Sequence, residues 1–107
     1  MVKHIILWQL KDSISAEEKI NVKKNIKTAL ESLKGVVPGL TDIKVQIESL
    51  ESSNADLMLD STFESFDALK AYAIHPAHVA AADTAVRPFT QTRLCLDFEI
   101  YSGLDFL

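Results

Sequence analysis

Residues 2–11 alternate between two faces. Val2, His4, Ile6, Trp8 and Leu10 share one face; Lys3, Ile5, Leu7, Gln9 and Lys11 share the other. A period of two is the signature of a strand. Apolar side chains occupy the middle of both faces, so both sides of this strand are expected to be covered. One layer of helices covers only one of them. A chain of 107 residues has no spare elements from which to build a second sheet over the other. The expected cover is a second copy of the same chain.

The periods that follow fix the order of the elements. Ser15 with Glu18 makes a capping box, and Glu17 and Glu18 suit the positive end of a helix dipole. Val22, Ile26, Ala29, Leu30 and Leu33 recur at helical spacing, with Gly35 as the expected stop. Residues 35–40 read as a loop around Pro38 and Gly39. From Thr41 to Leu50 the alternation returns, with Ile43, Val45 and Ile47 on one side and polar residues on the other, as on an edge strand. A polar turn over 51–54 leads to a third strand over 55–63.

Ser65 caps a second helix with Phe66, Leu69, Ala73 and Tyr72 as candidates for its inner face. Pro76 interrupts it. The residue before a proline is pushed out of helical geometry, whereas proline itself suits the first position of a new helix. His75 is therefore expected at the cap of a second helical piece running over 77–86, and Pro88 ends that piece. Residues 90–101 form a fourth strand, with Leu94, Leu96, Phe98 and Ile100 opposite Arg93, Cys95, Asp97 and Glu99. The tail 101–107 shows no clear period.

Strand, helix, strand, strand, helix, strand is the split βαβ order of the α+β, ferredoxin-like class. The expectation is a four-stranded antiparallel sheet in one domain spanning 1–107. Helices on one side leave an apolar face bare, and a two-fold homodimer through the sheets would close it.

Composition narrows the partners. Fifteen acidic against eleven basic residues give a net charge of −4. The lysines at 19, 23, 24, 27 and 34 are interleaved with acids along one helix, which is a solvated face rather than a phosphate-binding patch, so nucleic acid is not an expected partner. No apolar run approaches the roughly 20 residues that cross a bilayer. Residues 1–8 are too short and too polar for a leader, and the single cysteine, Cys95, fits a reducing compartment. These features together predict a cytoplasmic protein without membrane attachment.

The chemistry-bearing residues concentrate between Tyr72 and His78. His78 falls near the start of the second helical piece, where the dipole disfavours imidazolium, and a neutral histidine can act as a general base. The alternative is a histidine that only bonds a neighbouring carbonyl and steadies the kink. Tyr72 can converge with His78 only through the bend, and would then donate to a substrate carbonyl or enolate; otherwise it is a core tyrosine. His75 is expected to cap. His4 and Trp8 lie on the inner face of the first strand, where they either line a pocket or fill the core. His75 and His78 alone are too few for a closed zinc site, and the only cysteine lies far along the chain; a third ligand from His4 is conceivable, but no metal is expected. No glycine-rich phosphate loop or hydrolase triad is present, and no cofactor is expected.

The chain resembles the stress-responsive dimeric α/β-barrel (Dabb) domain family. The likeness is carried by Val2-Lys3-His4-Ile5-Ile6-Leu7-Trp8-Gln9-Leu10-Lys11-Asp12, the Pro38-Gly39-Leu40 turn and the Phe63-Glu64-Ser65 helix entry. Tyr72 with His75-Pro76-Ala77-His78, and Asp97-Phe98-Glu99, extend it over nearly the whole chain. The resemblance implies a homodimeric barrel with a cavity between helices and sheet in each subunit. The family includes plant polyketide cyclases of the olivetolic acid cyclase kind, which close rings by aldol-type chemistry without a cofactor. It implies catalytic roles for His78 and Tyr72 and a substrate-binding role for His4; Trp8 and His75 are the further candidate substrate-binding residues. The expected function is binding of a small apolar molecule within each subunit, with cyclase- or isomerase-like acid/base chemistry. The rivals are a non-catalytic stress or assembly protein and, more remotely, a cofactor-using monooxygenase.

Overall fold

The computed structural model describes residues 1–100. Its elements are β1 (Val2–Leu10), α1 (Ala16–Glu31), β2 (Leu40–Gln46), β3 (Leu57–Phe63), α2 (Phe66–Ile74), α3 (Pro76–Ala81) and β4 (Thr90–Glu99), with a π-helical turn over Ala82–Val86 before β4. The four strands form one sheet in the order β2-β3-β1-β4. Every pairing is antiparallel. This is the ferredoxin-like arrangement that the order of periods predicts. The expected tail over 101–107 lies outside the described residues.

The inner face of β1 is buried along its whole length: Val2, His4, Ile6, Trp8 and Leu10. Val22, Ile26, Leu30 and Leu33 from α1 and the turn after it, and Leu69 and Tyr72 from α2, share its core. Each such aliphatic side chain contributes about 1.5–3 kcal/mol on burial, so this layer outweighs any single polar contact in the molecule.

Local chemistry sets the ends. Ser15 accepts a hydrogen bond from the Glu18 backbone N–H at 3.2 Å and starts α1. The helix stops at Glu31 rather than at Gly35, because tight turns after Ser32 carry Leu33 and Val37 into the core. Gly39 has φ +81°, and a side chain there would meet the Ala68 Cβ at 2.5 Å, so α2 packs on this turn only because the residue is glycine.

β2 ends at Gln46, short of the expected Leu50, where its pairing with β3 ends at Met58. Its outer edge is covered by α1: Lys27 Nζ donates to the Val45 carbonyl at 2.9 Å, and the Val45 N–H donates to Glu31 at 2.9 Å. An edge strand so tied offers fewer free backbone groups to a neighbouring chain.

Two residues of α2 depart from expectation. Phe66 is 54% exposed and Ala73 is also exposed, whereas Tyr72 is buried. Ser65 caps the helix through a 3.1 Å bond from the Ala68 N–H, and this phase turns Leu69 and Tyr72, not Phe66, toward the sheet. The second helical piece is also divided: α3 ends at Ala81, and a π turn completes the run to Val86.

The opposite sheet face has no helices over it. Ile5, Leu7 and Met58 are half-buried on it, and Leu94 and Leu96 are each 63% exposed. Among the described residues no helix is long and apolar enough to cross a membrane.

Candidate functional site

His75 makes the bend on which the site depends. It has an extended backbone, φ −64° and ψ 132°, and its Nδ1 accepts a hydrogen bond from the Ala77 N–H at 3.1 Å. Pro76 follows as the first residue of α3. The cap and the proline together redirect the chain, so that α3 returns toward the sheet beside α2.

The redirected helix lays His78 against Tyr72. Their ring centroids are 4.1 Å apart. Tyr72 also meets Phe63 at 4.9 Å and His4, edge-on, at 6.2 Å. Four rings from β1, β3, α2 and α3 thus converge on one place.

A cavity of about 100 Å³ opens there. Its buried floor includes His4, Ile6, Trp8, Leu59 and Tyr72; Arg87, Thr90 and Arg93 stand at its more exposed end, with half-buried His78 beside them. The π turn shapes one wall, since it carries Ala82 and Val86 inward and brings Arg87 to the rim. His75 is not among the residues that line this cavity, and its Nδ1 accepts the hydrogen bond of the cap.

The protons of the site can be placed from their partners. His78 Nδ1 lies 3.2 Å from the Ala73 carbonyl oxygen. A carbonyl only accepts, so Nδ1 carries the proton and Nε2 holds the free lone pair. Burial, with help from the nearby Arg87 and Arg93, pulls the His78 pKa below its ordinary value, despite the opposing bond to Ala73. The neutral, base-competent form therefore dominates at neutral pH.

Tyr72 is the reverse case. Its hydroxyl is buried and has no hydrogen-bond partner among the described residues. Burial pushes its pKa far up, so the phenol stays protonated and remains a donor. A buried hydroxyl without a partner costs about 1–3 kcal/mol, and its persistence at a cavity marks a place for an acceptor.

His4 is held from the other side. Its Nδ1 lies 2.5 Å from Asp97 Oδ1, and its register partner on β4 is Asp97 itself. The carboxylate accepts from Nδ1–H and fixes the ring's tautomer. The β1 backbone here is tied by Ser61, whose buried hydroxyl donates to the His4 carbonyl at 3.0 Å.

Cys95 reads from sequence as a small core or interface residue, but it is exposed beside this pair. Its sulfur lies 3.8 Å from the same Nδ1 and 3.5 Å from Asp97. Thiol and carboxylate share one ring nitrogen, so no relay runs from Asp97 through His4 to the thiol. Burial and the neighbouring Asp97 also raise the thiol pKa, away from a reactive thiolate.

His4, Cys95 and Asp97 have donor atoms within 4.8 Å of one another, a possible ligand set for a metal ion. The 2.5 Å separation of His4 and Asp97 is that of a direct hydrogen bond, whereas two ligands on one tetrahedral zinc stand roughly 3.3 Å apart. In His75 and in His78, the pair weighed from sequence, each Nδ1 serves the backbone.

Asp97, Arg87 and Arg93 are the members of the site that sequence reasoning did not select. The signal for Arg93 and Asp97 was their shared face on the last strand; what was missing was the register that sets them beside Trp8 and His4.

Residues 2–100 match the family model described as Stress responsive A/B Barrel Domain. The chain belongs to the stress-responsive A/B barrel domain family. Olivetolic acid cyclase of Cannabis sativa is 30% identical over 100 residues, covering 91% of this chain and 94% of that protein. The stress-response A/B barrel domain-containing protein HS1 of Arabidopsis thaliana is 37% identical over 84 residues, covering 76% of this chain and 73% of that one. Among solved structures, a dimeric protein of unknown function and ferredoxin-like fold from Bacteroides fragilis superposes with a TM-score of 0.86 at 34% identity, covering 92% of this chain and 95% of that chain. A/B barrel relatives thus include both a named cyclase and proteins with no assigned reaction, so the activity of this member has to be argued from its own cavity.

Proposed function

We propose that the protein is a homodimer that binds a small, mostly apolar molecule with a carbonyl-type acceptor in the cavity of each subunit. There it performs cofactor-free acid/base chemistry. The observation that carries this reading is the buried Tyr72 hydroxyl, which has no partner among the described residues, beside a histidine whose Nδ1 is held by a backbone carbonyl.

The roles follow from the proton placement. Tyr72 donates to the carbonyl oxygen and stabilises the enolate that forms as a proton leaves the adjacent carbon. His78 Nε2 takes that proton and returns it later, to the same carbon or to another. Returned to another carbon, it gives an isomerisation; if instead the enolate carbon attacks a second carbonyl of the same molecule, a carbon–carbon bond forms, that carbonyl becomes an alkoxide, and the proton held by His78 passes to the alkoxide oxygen, closing the ring. His4, fixed by Asp97, lines the floor and orients the ligand. Trp8 limits its depth. The relation to olivetolic acid cyclase supports this class of chemistry.

A small ketone incubated with the protein in heavy water tests the proposal. Deuterium uptake at the carbon beside the carbonyl is expected above background. His78→Ala and Tyr72→Phe are expected to lower it by about 100-fold or more, the usual scale of acid/base assistance, while light scattering still reports a dimer. Uptake that is unchanged in both variants would sink the roles of His78 as base and Tyr72 as donor.

The second reading is a non-catalytic stress or assembly protein. The cavity size favours it, since about 100 Å³ is well under the roughly 300 Å³ at which ligand pockets ordinarily begin. On that reading His78→Ala lowers the melting temperature and no carbon–hydrogen exchange is catalysed.

A further inference from the structure

We infer that the ligand of this cavity carries a carboxylate, held at the mouth by Arg93. The inference rests on the ligand-binding reading above and names the class of molecule.

Size is the first observation. A cavity of about 100 Å³ is well under the roughly 300 Å³ at which pockets that enclose a whole ligand ordinarily begin. Any larger ligand leaves its remainder in the mouth. The mouth is formed by Arg87, Thr90 and Arg93, the most exposed of the lining residues apart from half-buried His78. A molecule whose carbonyl end reaches Tyr72 therefore places its other end between two guanidinium groups.

Charge is the second observation. Arg87 is paired with Asp83 one turn earlier on the same segment. Asp97 is engaged by His4. Arg93 makes no ion pair among the described residues. Among the described residues, one positive charge without an ion-pair partner thus stands at the entrance of a chain whose net charge is −4. A guanidinium fork suits a carboxylate, which accepts two parallel hydrogen bonds from it. Burial is the main cause that disfavours protonated His78, and both arginines act in the same direction.

The geometry thus divides recognition in two. The floor reads an oxygen acceptor through Tyr72, and the rim reads an anion through Arg93. A short oxo acid satisfies both, whereas a neutral ketone satisfies only the first.

Titration of the full chain with levulinate and with its neutral amide, followed by NMR, tests this. Exposed ion pairs are modest, so the acid is expected to bind about fivefold tighter than the amide. That preference should shrink with added salt. Arg93→Gln should abolish it, leaving acid and amide to bind equally in that variant, and Arg93→Lys should keep part of it; melting curves confirm that both variants fold. Equal binding of acid and amide overturns the carboxylate inference and leaves the pocket standing. A preference for the acid that survives Arg93→Gln overturns the assignment to Arg93. Failure of both compounds to bind removes the ligand-binding reading along with it.

Discussion

The rings of Tyr72 and His78 stack with centroids 4.1 Å apart and planes inclined by 36°. On an unbroken helix six residues rise about 9 Å and turn well away from their starting face. The contact exists because His75 leaves helical geometry and Pro76 starts a new helix. The pair is a product of the bend, and the bend is made by two residues that never touch the cavity.

The unpartnered hydroxyl of Tyr72 sets function against stability. Tyr72→Phe keeps the ring contacts with Phe63 and His78 and removes a buried donor that has no partner among the described residues. The variant should be more stable by about 1 kcal/mol, a rise of about 4–8 °C in melting temperature for a chain of this size. Ligand affinity should fall. A scanning calorimeter checks the first outcome, and a lower melting temperature would show that the hydroxyl is bonded in the folded protein.

Burial of neutral His78 gives a definite pH dependence. Its folded pKa lies below the ordinary 6.5, so the unfolded chain binds a proton that the folded chain refuses. Stability from this residue is complete above about pH 6.5 and is lost as the pH falls through the folded value. Activity requiring the free Nε2 should fall over the same acidic range. NMR titration of the His78 ring should give a midpoint under 6.5, and His78→Gln should flatten the acid limb of a stability–pH curve.

His75 is a cap, and its removal should behave as one. His75→Ala deletes the acceptor for the Ala77 N–H and should cost about 1 kcal/mol. Binding in the cavity should change little in the fraction that stays folded, because the ring does not line it. Paired melting and titration measurements separate the effects; a large loss of affinity with no loss of stability would return His75 to the site.

These contrasts show what sequence carries and where it stops. The inner face of β1 was legible because alternation is local, and the His75 cap was legible because proline restricts its neighbour in the same way in any fold. Phe66 misled because an apolar side chain at a helix start can face either way until the cap sets the phase. The π turn over Ala82–Val86 left no trace in an alanine-rich stretch with no strong period. The His4–Asp97 pair depends on the register of β1 against β4, which shifts at Gln9–Leu10. Register between strands distant in sequence is a tertiary property, and so the electrostatics of the site emerged only with the fold.

The open sheet face yields the last prediction. Leu94, Leu96 and Phe98 project from β4 beside Leu7, Ile5 and Lys3 of β1, and all three are exposed in the isolated chain. A row of this kind on a single copy leaves apolar surface in water, at about 25 cal/mol for every Å². Packing two such faces together recovers that term, and the relative from Bacteroides fragilis is described as dimeric. Leu96→Glu would place an unpaired charge in the middle of the contact, a penalty of about 3 kcal/mol or more, or roughly a 100-fold weaker dimer. Light scattering at micromolar concentration should report two chains for the wild type and the 11.9 kDa of one chain for the variant. A wild-type protein with the mass of a single chain would refute the dimer outright. Survival of the dimer in Leu96→Glu would move the interface to another surface.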